Sequence, residues 1–193
     1  MNTKDLILEE ARKVFERFGF NKTSMADIAT AARKGRRTIY TYFTSKEEVF
    51  RAVIDTEVSK LAEILQQIIA QPLPPKDKFR LYILTRMNAV KTLTTYYDAL
   101  REDFMNNLGM IEDLRQQYDE LEARMIKAIL DEGVEKSQFR IADTDVVARA
   151  IVFATKGFEL PMYRGDKNYD HNKLIEPLIN VLFHGISKEK EHK

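Results

Sequence analysis

The chain has 193 residues, of which 44% are hydrophobic and 32% charged, and a formal net charge of only +1. That is enough apolar content for a real core and too little net charge to declare a nucleic-acid partner by itself. It has no cysteine, and its three histidines, His171, His184 and His192, are not spaced to share a metal ion. Disulfides, thiolate zinc sites and cysteine nucleophiles are therefore excluded, and no metal or cofactor is expected.

Charge interrupts the apolar positions of the first fifteen residues, so neither a signal peptide nor a membrane span is read there, and a cytoplasmic protein is expected. The basic charge is local. Residues 1–50 carry ten Lys/Arg against seven Asp/Glu, and from Arg33 to Lys46 five basic residues meet no acid.

Seven glycines, five prolines and apolar residues at three- and four-residue spacing predict an all-α chain. Ile7, Ala11, Val14, Phe15 and Phe18 form the apolar face of a first helix that Gly19 can close. A short second helix starts at Ser24, with Asp27 completing a capping box, and turns Met25, Ile28, Ala29 and Ala32 inward. The third runs from about Arg36 to Phe43 with Ile39 and Phe43 inward. The fourth begins at Thr44 or Ser45, capped by Glu47 or Glu48, and keeps an apolar stripe through Val49, Val53, Leu61, Leu65 and Ile68. The run Gln71-Pro-Leu-Pro-Pro75 cannot continue it. Further helical patterns cover about 76–107, divided near Thr94 and Thr95, then 110–136, 143–163 and 171–187, with a frayed charged tail at 188–193. Pro177 is expected to kink the last helix or to mark its true start.

Two short helices joined by a tight turn, the second rich in Arg, Thr and Tyr, suit a DNA major groove: Arg pairs with guanine, Thr brings a hydroxyl and a methyl, and Tyr reaches phosphate or a thymine methyl. Residues Lys22-Thr-Ser-Met-Ala-Asp-Ile-Ala29 and Thr38-Ile-Tyr-Thr-Tyr-Phe-Thr-Ser-Lys-Glu-Glu-Val49 resemble the N-terminal signature of TetR-type repressors over about residues 5–55. The resemblance implies a helix-turn-helix DNA-binding domain at 1–47 and a helical ligand-binding and dimerisation bundle at 48–193, with a helix over 45–70 connecting the two. It also implies that Arg36, Arg37, Thr38 and Thr41 face bases, and that Ser24, Tyr40, Tyr42 and Lys46 contact phosphate. The turn departs from the family: Arg33 stands where a glycine is usual, and Gly35 takes the small N-cap position of the recognition helix.

The resemblance further implies that the last two long helices pair with their copies in a homodimer. Independently, Val147, Ala150, Ile151, Ala154, Gly157 and Phe158 on one helix, and Leu174, Leu178, Val181, Leu182 and Gly185 on the next, mix small and large apolar groups on one face, as close helix packing requires. Tyr82, Arg86, Tyr97, Arg101, Phe104, Met105, Tyr118, Met125 and Met162 lie on otherwise apolar faces and suit a largely apolar small-molecule effector with one polar or anionic group. The expected function is an operator-binding repressor that the effector releases. Control by a protein partner, or an all-helical enzyme or carrier, stand as alternatives; no catalytic constellation supports an enzyme.

Overall fold

The computed structural model describes residues 2–96, 108–164, 166 and 168–185, and within them every regular element is helical. In chain order these are α1 (Thr3–Phe18), α2 (Met25–Ala31), α3 (Arg36–Tyr42), α4 (Lys46–Ala70), α5 (Pro75–Tyr96), α6 (Leu108–Glu135), α7 (Thr144–Tyr163) and α8 (His171–His184). No helix among the described residues is long and apolar enough to cross a membrane.

Helix ends follow the side chains that can satisfy free backbone groups. Asn2 and Asp5 form a capping box on α1, and Ser24 and Asp27 form one on α2. At α4 the device is stretched by one residue. The Ser45 hydroxyl accepts from the Glu48 N–H at 3.1 Å, while the Glu48 carboxylate accepts from the N–H and hydroxyl of Thr44 at 2.6 and 2.8 Å. Pro75 opens α5 at the one place in a helix where a missing N–H costs nothing.

Two helices end in Schellman motifs without glycine at the left-handed residue. After α2 the Arg33 N–H reaches the Thr30 carbonyl and the Lys34 N–H the Ala29 carbonyl, with Arg33 at φ 51°. After α6 the Ser137 and Gln138 N–H groups reach Val134 and Gly133 in the same way, with Ser137 at φ 55°. The chain then folds back so that the Phe139 ring lies on Gly133, where a Cβ would meet it at 2.0 Å.

Ile7, Ala11, Phe15, Met25, Ile28, Ile39, Phe43 and Phe50 are buried between α1, α2, α3 and the start of α4. Phe15 and Phe50 meet edge to face at 5.2 Å. Phe18, expected in this face, is instead 51% exposed. It is the last residue of α1, and Gly19 at φ 77° turns the chain so that Phe20 takes the aromatic place beside Phe15 and Phe50.

The apolar core continues along α4 through Leu65 and Ile68 into a second region of Phe79, Tyr82, Ile83, Met87, Ile126, Ile129, Ala148, Val152, Ile175 and Ile179. There α5 packs on α4, α6, α7 and α8, and α6 lies along α7. Helix α5 runs through Thr94 and Thr95 to Tyr96. Pro177 lies inside α8, which begins at His171, so it does not mark that helix's start, and Gly185 caps α8 rather than extending its face.

Candidate nucleic-acid interface and effector site

Helix α3 is fixed to the N-terminal core by Ile39 and, just after it, Phe43, both buried. At 100° per residue, Arg36, Tyr40, Arg37 and Thr41 then share an outward arc of roughly 140°. All four are exposed, as is Tyr42 on its flank, while Thr38 is half-buried. None of Arg33, Lys34, Arg36 and Arg37 is held by a carboxylate among the described residues. Gly35 caps the helix without a side-chain bond.

The hydroxyls and the lysine assigned to DNA have internal partners as well. Thr41 donates to the Arg37 carbonyl at 3.0 Å. The Ser24 hydroxyl donates to Asp27 at 2.6 Å and accepts the Asp27 N–H, and Ser24 in turn holds the Asp27 carboxyl below its ordinary pKa. Lys46 donates to the Phe20 carbonyl from half-buried surroundings.

Of the effector-site residues, Tyr82, Arg86, Met125 and Met162 are buried, and Tyr118 is half-buried with its hydroxyl donating to Asp55 of α4 at 3.3 Å. Tyr97, Arg101, Phe104 and Met105 lie outside the described residues. The structure adds two acids that sequence reading passed over. Arg86 donates from Nε to Glu122 of α6 at 2.6 Å and from Nη1 to Glu159 of α7. Burial opposes the Arg86 charge, but the two carboxylates outweigh it and raise its pKa further. Glu122 follows Leu121 and Glu159 stands between Phe158 and Leu160, but neighbours in sequence do not tell which face of its helix an acid takes; its partner becomes evident only once α5 brings Arg86 between the two. Among the described residues no group of three or more His, Asp or Glu side chains is arranged to hold a metal.

The faces assigned to dimerisation point away from the core. On α7 the buried side is Ala148, Val152, Thr155, Glu159 and Met162, whereas Ala150 and Ala154 are exposed and Val147, Ile151 and Phe158 half-buried. On α8 Leu174, Val181 and Leu182 are exposed and Leu178 half-buried. Val146 and Phe153, 60% and 71% exposed, extend the same surface and were legible from their helical spacing to Ala150. Between α5, α7 and α8 this surface holds an open apolar groove of about 310 Å³, lined by Ile83, Val147, Ile151, Phe158, Ile175 and Leu182 among others.

A helix-turn-helix with an unpaired basic recognition helix, carried on a larger helical bundle, defines the class as a DNA-binding regulator. Residues 7–53 match the family of bacterial regulatory proteins called the tetR family, so the N-terminal unit carries that family's helix-turn-helix. It is similar to the HTH-type transcriptional regulator QacR of Staphylococcus aureus, 25% identical over 195 residues and spanning 97% of this chain and 100% of that one. In fold it resembles a transcriptional regulator from Cytophaga hutchinsonii, with a TM-score of 0.82, 21% identity and 93% and 95% of the two chains covered. It also resembles Thermus thermophilus FadR in complex with lauroyl-CoA, with a TM-score of 0.71, 19% identity and 98% of each chain covered.

Proposed function

We propose that this protein is a homodimeric, cytoplasmic repressor that binds operator DNA through α2 and α3 and lets go when a small-molecule effector enters its second domain. The observation that carries the proposal is the outward arc of α3, whose Arg36 and Arg37 stand unpaired while Ile39 and Phe43 hold the helix in place. The unit at 1–47 supplies DNA contact, 48–193 supplies the effector site and dimer surface, and the helix that spans both is α4. Arg36, Arg37, Thr38 and Thr41 read bases; Ser24, Gly35, Tyr40, Tyr42 and Lys46 position the backbone.

Dimerisation is supported by the apolar residues left exposed on α7 and α8, a surface that a soluble monomer rarely keeps. In a dimer the two recognition helices enter successive major grooves with half-site centres about 34 to 36 Å apart. Effector control is supported by the gathering of Tyr82, Arg86, Met125 and Met162 in the bundle, and by the fold's likeness to a FadR that carries lauroyl-CoA.

Fluorescence anisotropy on DNA from the protein's own upstream region tests the proposal. Arg37→Ala is expected to cost about 1 to 3 kcal/mol and to relax preference at one base position. Phe153→Glu is expected to give a monomer in light scattering with much weaker operator binding. Equal affinity of the wild type for operator and random DNA at physiological salt would rule the proposal out.

A further inference from the structure

Ile39 and Phe43 seat α3, and at 100° per residue the two set the direction of its inner face. The opposite direction passes through Thr41, with Arg37 roughly 40° to one side of it and Thr38 roughly 60° to the other. Tyr40 and Tyr42 lie roughly 100° away on either side, and Arg36 further round still. Thr38 is half-buried, whereas Arg37 and Thr41 are exposed. The middle of the surface that α3 offers a groove is therefore Arg37 and Thr41, one turn apart, which narrows the four base-facing residues proposed above to a central pair.

The two side chains bring different chemistry. Arg37 has no partner for its guanidinium among the described residues, so its donors arrive free. Guanine alone among the bases presents two acceptors, N7 and O6, at its major-groove edge, and a guanidinium can meet both. Thr41, by contrast, already donates its one hydroxyl proton to the Arg37 carbonyl at 3.0 Å. What it has left is a methyl group and acceptor lone pairs. The C5-methyl of thymine takes an apolar contact, while a G·C pair offers no methyl and its two guanine acceptors ask for the donor that Thr41 has spent. Residues three or four apart on a helix in the major groove meet successive base pairs.

We infer that α3 reads a two-base-pair step in each half-site: a G·C pair, held by Arg37 through guanine N7 and O6, and beside it an A·T pair, met by Thr41 through the thymine methyl. The inference rests on the proposal that the protein binds operator DNA through this helix.

Selection of the full chain's preferred sites from random-sequence duplex DNA tests it. The wild type is expected to enrich guanine and thymine at neighbouring base pairs of each half-site. Arg37→Ala should lose the guanine preference and keep that for thymine, and Thr41→Ser the reverse. Thr41→Val, which keeps a methyl and removes the hydroxyl, should keep both. Fluorescence anisotropy on the selected duplex, with one base altered in one half-site, then isolates the atoms. 7-Deazaguanine, which lacks N7, should weaken the wild type about tenfold and leave Arg37→Ala unchanged. Deoxyuridine, which is thymidine without its methyl, should weaken the wild type and Thr41→Val about threefold and leave Thr41→Ser unchanged. Both positions are exposed, melting curves by circular dichroism confirm that the variants fold, and the altered bases test the wild type whatever the variants do.

Selected preferences that relax at base pairs not adjacent to each other would overturn the inference and leave operator binding standing. So would loss of the thymine preference in Thr41→Val, loss of both preferences in one variant, or indifference of the wild type to either altered base. Enrichment of no sequence at all would sink the operator reading and this inference together.

Discussion

Lys46 donates from its ammonium to the Phe20 carbonyl at 2.8 Å and holds the same ammonium 4.0 Å from the centre of the Phe20 ring. The start of α4 is thereby tied to the loop after α1 by a charged hydrogen bond and a cation–π contact. Lys46→Ala removes both and is expected to lower folding stability by about 1 to 2 kcal/mol, beyond any loss in DNA affinity. Urea denaturation measures it. An unchanged midpoint would mean that the bond contributes nothing in solution, and any weakening of DNA binding would then belong to phosphate contact alone.

Arg33 adopts a left-handed conformation that glycine enters without steric cost. Arg33→Gly relieves that strain while loosening the unfolded chain, and the balance is a gain of roughly 0.5 kcal/mol. Arg33→Val, with a branched Cβ in the same conformation, should lose more than 1 kcal/mol, on the order of the penalty for a strained residue. If thermal melting ranked the valine variant above the glycine variant, the turn would have a different backbone from the one described.

The Phe139 ring occupies the place that a Cβ on Gly133 would take. Gly133→Ala should destabilise by about 1 to 3 kcal/mol through overpacking, despite alanine's better helix propensity. Combining it with Phe139→Leu should recover part of the loss, and the double-mutant cycle gives the coupling. Strict additivity of the two changes would count against the contact.

His171 is buried, with Nε2 facing the Asn88 side-chain oxygen at 3.0 Å and Nδ1 without a partner. Burial first, then nearby Lys91, lowers its pKa below 6.5, against a smaller opposing pull from Asp170. Its place in the first turn of α8 also disfavours a positive charge. The folded state therefore binds this proton less readily than the unfolded chain. Stability attributable to His171 falls as pH drops from about 6.5 toward the folded pKa, and is constant above that window. Chemical denaturation of the wild type and His171→Gln between pH 7.5 and about 5 should show a steeper decline in the wild type. Parallel profiles would refute the assignment.

The helices themselves were readable because caps and periodicity coincide: Ser24 with Asp27, Ser45 with Glu48, and Ile39 with Phe43 fix short segments locally. The face of Ala150, Ala154, Leu174 and Leu182 was also legible, since small and large apolar groups recur there at helical spacing, and the structure leaves all four exposed. What could not be read depends on contacts between elements distant in sequence. Glu122 and Glu159 differ from solvated acids only because Arg86 arrives between them, and Gly133 matters only because Phe139 folds back on it. Phe18 misled because period alone does not tell where the last turn of a helix leaves the core.

The 25 residues of α4 form a rod of roughly 37 Å with the DNA-facing unit at its start and the prolines at its end. A swing of ~5° about the far end of a rod that long carries its near end by roughly 3 Å, close to the ~3.4 Å rise of a base pair. Two such rods turning in opposite senses in a dimer double the displacement between heads. A side chain's worth of widening inside the bundle therefore has the mechanical advantage to move both recognition helices by about a full step along the groove.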